Sequence, residues 1–214
     1  MNFFFNYALE DPQYFFSWII AISFSICVHE WAHAYTALKC GDDTAEKEGH
    51  ITLNPLVQMG PMSILFLLLV GLAWGAVPVD VSQLRQRWHQ AWVAFAGPLS
   101  NLVLSFLFGL ITVVAVRVGS EGNQMYEFFE LAARANALLF ILNMMPVPAL
   151  DGWQIYAHWI PAMKWMRRET ANTFSNIFLI LIFVSPLMWQ LWRGADWLAG
   201  GFILFWSSIA GLIL

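Results

Sequence analysis

Two histidines and a glutamate stand close together in an otherwise apolar stretch, "FSICVHEWAHAYTA" at residues 24–37. Positions four residues apart share one face of an α-helix, so His29 and His33 can direct both imidazole rings at a single metal ion. Glu30 lies about 100° around the helix from His29, close enough to reach a water beside the metal without being a ligand. Two imidazoles and an open coordination position are typical of a catalytic zinc site.

The apolar surroundings strengthen the metal hypothesis. Residues 14–28 and 34–38 carry no charged side chain, so Glu30 has no ion-pair partner within its own segment. An ionisable side chain in the middle of a membrane helix costs roughly 2.5–3.5 kcal/mol on insertion scales, and such side chains usually have a function. A structural histidine pair is the alternative, but it leaves the glutamate unexplained.

Composition indicates an all-α polytopic membrane protein. Of the 214 residues, 59% are hydrophobic and 11% are charged, whereas a soluble domain has about 25% charged residues. The net charge is −4 and no basic run occurs, which excludes nucleic acid as an expected partner. We predict one integral-membrane domain over residues 1–214, in contact with the lipid bilayer throughout.

Six apolar segments could contact the membrane interior, and a helix needs roughly 17–25 apolar residues to cross it. The segments are 14–38, 62–77, 91–116, 128–150, 174–192 and 197–214. Five are long enough to be transmembrane helices. Segment 62–77 has 16 residues and is bounded by Pro61 and Pro78, so it is either re-entrant or a sixth crossing. The predicted core covers about 14–160, a C-terminal helix pair covers 174–214, and alternation predicts a short strand-like segment near 50–54.

The positive charges favour the re-entrant arrangement. With six crossings, four lysines and arginines fall on one side and five on the other, whereas re-entry at 62–77 gives seven against two, with Arg134 inside the fourth segment. The seven are Lys39, Lys47, Arg85, Arg87, Lys164, Arg167 and Arg168. Cytoplasmic loops are enriched in such residues, so we predict an outer N-terminus and a cytoplasmic C-terminus. Glu130, four residues before Arg134, is its predicted ion-pair partner.

A zinc site needs a third protein ligand. The candidates are Asp42, Asp43, Glu46, Glu48, His50, Asp80, His89, Asp151, His158 and Asp196. Asp151 differs from the others because Pro146 and Pro148 precede it and keep the backbone extended at membrane depth, which is tolerated only beside a cavity. Gly152 then permits close approach of neighbouring backbone. In the re-entrant arrangement, Asp151 reaches the same side of the membrane as the two histidines.

Three motifs resemble the site-2 protease family of intramembrane zinc metalloproteases: "HEWAH" at 29–33, "FAGPLSN" at 95–101 and "NMMPVPALDG" at 143–152. "GHITLNPL" at 49–56 is similar to the compact prokaryotic branch, which has no PDZ or appended regulatory domain.

The resemblance implies one Zn²⁺ ion held by His29, His33 and Asp151, with Glu30 as catalytic base and Asn143 holding substrate or the oxyanion. It also implies hydrolysis of peptide bonds in or near the transmembrane helices of membrane-protein substrates. The expected location is a prokaryotic cell membrane, with the protein multi-pass and its active site open to the cytoplasm.

A divalent-metal transporter is the alternative function, since transporters also bury histidines and carboxylates in helices. That class predicts ligands on several spans and often repeated halves, and the sequence contains no internal repeat. For Asn101 we predict a packing role between helices. Asn143 has a structural alternative as well, which is to satisfy carbonyl groups freed beside Pro146.

Overall fold

The computed structural model describes residues 4–119, 124–160, 162–163 and 168–211, and within these ranges it is helical without strands. The α-helices are α1 Tyr7–Glu10, α2 Pro12–Cys40, α3 Thr44–Lys47, α4 Pro55–Gln58, α5 Gly60–Val70, α6 His89–Val118, α7 Gln124–Asn143, α8 Asp151–Trp159, α9 Arg168–Val184 and α10 Leu187–Ile209. The prediction of an all-α protein is confirmed.

Helices α2 and α6 have 29 and 30 residues and are long and apolar enough to cross a membrane. The start of α2 is fixed by Asp11, whose side chain accepts a hydrogen bond from the backbone N–H of Tyr14, and by a proline in the first turn. Its end is fixed by Gly41, which adopts a left-handed conformation with φ of 110°. Among the described residues only these two helices meet the criteria, so the predicted count of five spans is not confirmed.

Helices α2, α6 and α7 form the centre of the bundle, and α6 packs antiparallel to both α2 and α7. His33 of α2 contacts the carbonyl of Val93 near the start of α6, whereas Phe24, earlier in α2, contacts Phe108, later in α6. Helix α7 then runs back along α6. Its residues at this contact are small and fully buried, as with Ala133, whose carbonyl accepts from Ser105 of α6. Small side chains allow close approach of helix backbones.

Residues 41–88 leave α2 at its C-terminal end and return to the same end. The Arg85 N–H donates to the Cys40 carbonyl at 3.1 Å, and the Asp80 N–H donates to the Asp42 carboxylate at 2.8 Å. Within this excursion, α5 has 11 residues, a length of about 17 Å against a hydrocarbon core of about 30 Å. The predicted apolar segment 62–77 is therefore a short helix followed by non-helical chain at 72–80.

The predicted strand-like segment at 50–54 is not confirmed. Its carbonyl groups are bound by a side chain rather than by a neighbouring strand, because the Gln58 amide donates to the carbonyls of His50 and Thr52. Asn54 caps α4 by accepting from the Leu56 N–H. These local contacts fold the segment into a turn.

In the C-terminal region, the gap between the apolar segments 174–192 and 197–214 does not coincide with the break between the two helices. The helix break lies at Ser185 and Pro186, and α10 continues through residues 193–196, where the sequence predicted a connection. Proline lacks the N–H that a continuous helix needs. Asp196, within this stretch, forms a partly exposed ion pair with Arg134 of α7. Lys164, Arg167 and residues 212–214 lie outside the described residues.

The predicted ion pair between Glu130 and Arg134 within α7 is wrong. Arg134 binds Asp196 of α10, with Nε 2.7 Å from Oδ1, rather than Glu130. Its guanidinium group also lies 6.0 Å from the centre of the Trp192 ring. The pair therefore joins two helices, an arrangement that spacing along one helix does not reveal.

Candidate metal centre

Three potential ligand atoms converge between α2 and the start of α8. His29, His33 and Asp151 each contribute one donor atom, and these three atoms lie within 4.8 Å of one another. Among the described residues, this is the one group that could hold a metal ion. The two histidine Nε2 atoms are 3.0 Å apart, and they lie 3.0 and 3.3 Å from the Asp151 carboxylate oxygens. Tetrahedral zinc at ordinary bond lengths separates its ligand atoms by about 3.3–3.4 Å. The spacing is therefore suitable for zinc.

The hydrogen bonds behind the rings leave both Nε2 atoms available for a metal. His33 Nδ1 donates to the Val93 carbonyl at 2.7 Å, and His29 Nδ1 donates to the Asn101 side-chain oxygen at 2.6 Å. These oxygens only accept, so each neutral ring carries its hydrogen on Nδ1 and presents a lone pair at Nε2. Two lone pairs and a carboxylate pointing at one place repel each other unless a cation lies between them. The donor set is that of a cation site.

The carboxylate arrives on an irregular connection between α7 and α8. Asp151 is the first residue of α8 and follows the turn that contains Pro146 and Pro148. A β-carbon at Gly152 would overlap the backbone of Met144 and the carbonyl of Met145. The predicted close approach at Gly152 is thereby confirmed, and it sets the position from which Asp151 extends.

Gly97 of α6 leaves the space that the imidazole rings occupy. A β-carbon at this position would overlap Nε2 of both His29 and His33. The following residue, Pro98, lies inside α6 and has no N–H for the carbonyl of Ala94. A glycine is therefore required for α6 to lie directly against the candidate metal centre.

Glu30 lies beside the candidate ligands and against the non-helical chain that follows α5. Its side chain is buried, with 7% of the residue exposed, and contacts Gly75, where a β-carbon would overlap the carboxyl group. Both residues line a cavity of about 1010 Å³ that also includes the three candidate ligands, Asn143 and Gln154. The apolar part of the lining includes Ile26, Leu72, Val77, Val79, Leu139 and Leu142. The structure thus brings together every residue for which the sequence predicted a role in chemistry.

The other acidic candidates have different partners. Asp42 accepts backbone N–H groups, Asp43 pairs with Lys47 at 2.7 Å, and Asp196 pairs with Arg134. Asp80 accepts from the hydroxyl and N–H of Ser82 and from the Gln83 amide, and these bonds hold its pKa below the usual range for aspartate. Within the described ranges these carboxylates stabilise turns and helix contacts.

Two polar residues have more specific positions than the sequence suggested. Asn101, predicted to serve helix packing, is the hydrogen-bond acceptor of His29. Asn136 of α7, to which the sequence assigned no role, accepts from the Asn101 amide at 3.0 Å. The signal for Asn136 was its amide side chain amid the small apolar residues of "LAARANALL".

A candidate metal-binding triad next to a buried glutamate, among apolar helices, is the arrangement that a membrane-embedded metalloprotease requires. The profile of peptidase family M50 matches residues 17–121, a range that includes His29, Glu30 and His33. Asp151 and Asn143 lie beyond this match.

Named relatives agree with the family match. "Putative zinc metalloprotease YwhC" of Bacillus subtilis (strain 168) is 34% identical over 183 residues, which cover 81% of this chain and 83% of that protein. "Putative zinc metalloprotease Rip2" of Mycolicibacterium smegmatis is 29% identical over 77% of this chain and 65% of its own length. No solved structure gave a significant match.

The chain belongs to peptidase family M50, the site-2 proteases. It is an intramembrane zinc metalloprotease whose substrate is a protein in a membrane context. The alternative of a metal transporter receives no support from these comparisons.

Proposed function

We propose that His29, His33 and Asp151 hold the zinc ion of this protease and that Glu30 is its catalytic base. The observation that carries the assignment is the convergence of three ligand atoms within 4.8 Å in the cavity that contains the Glu30 side chain. When bound, zinc supplies Lewis acidity, which makes water a stronger nucleophile at neutral pH and polarises a peptide carbonyl.

The remaining chemistry comes from the side chains of the chain itself. Glu30 takes the proton from the attacking water and gives it to the amine nitrogen as the peptide bond breaks. Asn143 lines the same cavity and donates a hydrogen bond from its amide to the developing oxyanion. The carbonyl of Val93 and the side chain of Asn101 hold the imidazole rings in the orientation that this reaction needs.

Removal of zinc is the direct test of this function. We expect that purified protein in liposomes cleaves a model transmembrane substrate, loses this activity with 1,10-phenanthroline, and regains it when zinc is added after the chelator is removed. The cleaved fraction is measured by mass spectrometry together with zinc content. Cleavage that persists in zinc-depleted protein contradicts the proposal, whereas zinc uptake into the liposomes without cleavage favours a transporter.

We propose that the non-helical chain after α5 provides a binding edge for substrate. The N–H of Trp74 donates to the Ser63 hydroxyl and its carbonyl accepts from it, and the Ala76 N–H donates to the Gln58 carbonyl. In extended chain, alternate residues direct their backbone groups to opposite sides. Because Trp74 and Ala76 bond to the same side, we infer that the groups of Gly75 face away from these partners, towards the cavity that this residue lines.

An extended substrate can add to this free edge as a strand. Within the described part of the chain, the backbone groups of Gly75 and Val77 have no hydrogen-bond partner. Strand addition presents the substrate carbonyl groups in a regular row, and Gly75 would bring that row next to Glu30. We assign the substrate-binding edge to residues 73–77. The predicted strand-like segment at 50–54 is not available for strand addition, because its carbonyl groups at His50 and Thr52 are occupied by Gln58.

Val77→Pro tests this edge, because proline removes the backbone N–H at that position. Loss of one backbone hydrogen bond to substrate is expected to lower kcat/KM about tenfold, mainly through KM. Val77→Ala is the matched control, since it shortens the same side chain and keeps the N–H. Equal kcat/KM for the proline and alanine variants would count against strand addition at this edge.

We propose a multi-pass arrangement of about five spans in a prokaryotic cell membrane, with residues 62–77 re-entrant from the cytoplasmic side. Support comes from the return of residues 41–88 to the end of α2, near Lys39, Lys47 and Arg85. His33 is seven residues from that end, about 10 Å along the helix, so water has a short route to the site. Labelling of Lys47→Cys by a membrane-impermeant maleimide from the outer side of intact cells would contradict this orientation.

A further inference from the structure

A continuous line of buried polar side chains extends from the candidate metal centre across three helices. It contains Asn101 of α6, Asn136 of α7 and Ser25 of α2, each with 0% of its surface exposed. An unsatisfied polar group in such a position is costly, and here each one has hydrogen-bond partners. The line ends at Nδ1 of His29, on the opposite side of the ring from the ligand atom Nε2.

We propose that Asn136 is a positioning residue that fixes the amide orientation of Asn101 and, through it, the tautomer of His29. The inference rests on the proposed ligand role of His29, and it adds a residue of α7 on which zinc binding depends. Asn136 itself contacts neither zinc nor substrate in this account.

The direction of the hydrogen bonds is set at Asn136, on the side of the line away from His29. The backbone carbonyl of Ala132 can only accept, so the Asn136 amide nitrogen, 2.8 Å away, must be directed towards it. The side-chain oxygen of Asn136 then faces Asn101 and accepts from its amide nitrogen at 3.0 Å. This leaves the Asn101 oxygen to face His29, which donates from Nδ1 at 2.6 Å.

Without Asn136, the Asn101 amide could rotate by half a turn. Its nitrogen would then donate to His29 Nδ1, which requires the hydrogen of the ring to be on Nε2, the atom that must bind zinc. In the present structure, that rotation would place the oxygen of Asn101 against the oxygen of Asn136, an arrangement that leaves both without a donor. The other contact of the Asn101 nitrogen, to the Ser25 carbonyl at 3.5 Å, is too long to fix the amide alone.

The two imidazoles therefore differ in what determines their tautomer. His33 donates to the backbone carbonyl of Val93, which has no alternative role as donor. His29 depends on an amide side chain that can present either a donor or an acceptor. Only the His29 tautomer is expected to change when α7 loses Asn136, so His33 serves as an internal reference.

Zinc affinity of Asn136→Leu is the first measurement, made by competition with a chelating dye on the full chain. We expect a roughly 10–100-fold weaker Kd, as is typical when a group that orients a metal ligand is lost. Ser105→Ala is the matched control, because it removes a different buried hydrogen bond between α6 and α7. Its zinc affinity is expected to equal that of the wild type.

A double-mutant cycle separates positioning from general destabilisation. In an Asn101→Leu background, Asn136→Leu is expected to cause no further loss of zinc affinity, because its effect passes through Asn101. An equal loss in both backgrounds would overturn the proposal, as would wild-type affinity of the single variant. If Asp151→Ala binds zinc normally, the proposed metal site itself is wrong. This outcome differs from a failure of the Asn136 proposal alone, in which Asp151→Ala loses zinc but Asn136→Leu does not.

The tautomers of the two histidines provide a readout that is independent of activity, and its first part uses the wild type alone. Nitrogen NMR of metal-free wild-type protein with labelled histidine, recorded at a pH at which both rings are neutral, is expected to show the Nδ1–H form at both His29 and His33. In Asn136→Leu, the His29 signal is expected to move towards the Nε2–H form while that of His33 stays. A neutral His29 ring with its hydrogen on Nε2 in the wild type, at that pH, would overturn the proposal, even if the variant fails to fold.

Discussion

Glu30→Gln is expected to lower the rate of cleavage by about 10²–10⁴-fold while the protein keeps its zinc. Glutamine has nearly the same size as glutamate and fits the buried space next to Gly75. It cannot accept a proton from water at neutral pH, so the attacking nucleophile is no longer activated. The three candidate ligands do not include Glu30, and metal binding should persist.

The experiment compares cleavage of a membrane-embedded substrate and zinc content in the same preparations. Glu46→Gln is the matched control, because Glu46 is exposed in the short helix α3 and should retain wild-type activity. A fully active Glu30→Gln protein would reject Glu30 as the base. Loss of zinc together with activity would show instead that the carboxylate acts as a ligand or supports the fold of the site.

Local spacing was sufficient to predict the part of the site that lies on one helix. His29, Glu30 and His33 belong to α2, and their relative directions follow from 3.6 residues per turn. Burial of this face was also predictable, since the residues around it are apolar. Asp151 required more, because its approach depends on the proline-containing turn and on α7 running parallel to α2. The sequence predicted both features, and the structure brings Asp151 to the histidines.

Contacts between distant residues were not predictable in the same way. Arg134 has an acidic residue at helical spacing, Glu130, yet it pairs with Asp196 on another helix. Helical spacing identifies a partner on the same helix, but it carries no information about a partner on a neighbouring helix. The C-terminal region gives a second example, since the charged residues at 193–196 interrupt the apolar pattern but lie within α10, where Asp196 pairs with Arg134 of α7.

Glycines and amides in the site were also hard to interpret from sequence. Gly97 belongs to the motif at 95–101 and Gly75 to the short apolar segment, but neither pattern reveals that a β-carbon there would overlap His29, His33 or Glu30. Asn136 likewise gains its meaning from the direction of hydrogen bonds that join three helices. Such roles depend on relative helix positions within fractions of an ångström.

Asp151→Ala is expected to remove zinc and proteolysis together. The carboxylate is the one anionic group among the three candidate ligands, and two neutral imidazoles on one helix bind zinc much more weakly than a site with three ligands. The loss of affinity should exceed the roughly 10–100-fold typical of a residue that only orients a ligand. Asp43→Asn is the control, since Asp43 forms an ion pair with the exposed Lys47.

The decisive measurement for the metal centre is the zinc content of purified Asp151→Ala beside wild type, after dialysis against metal-free buffer. We predict about one zinc ion per wild-type chain, as in catalytic sites with three protein ligands, and almost none in the variant. Circular dichroism should show equal helix content for the two proteins. A folded Asp151→Ala protein that retains zinc as the wild type does would contradict a metal centre built from α2 and the start of α8.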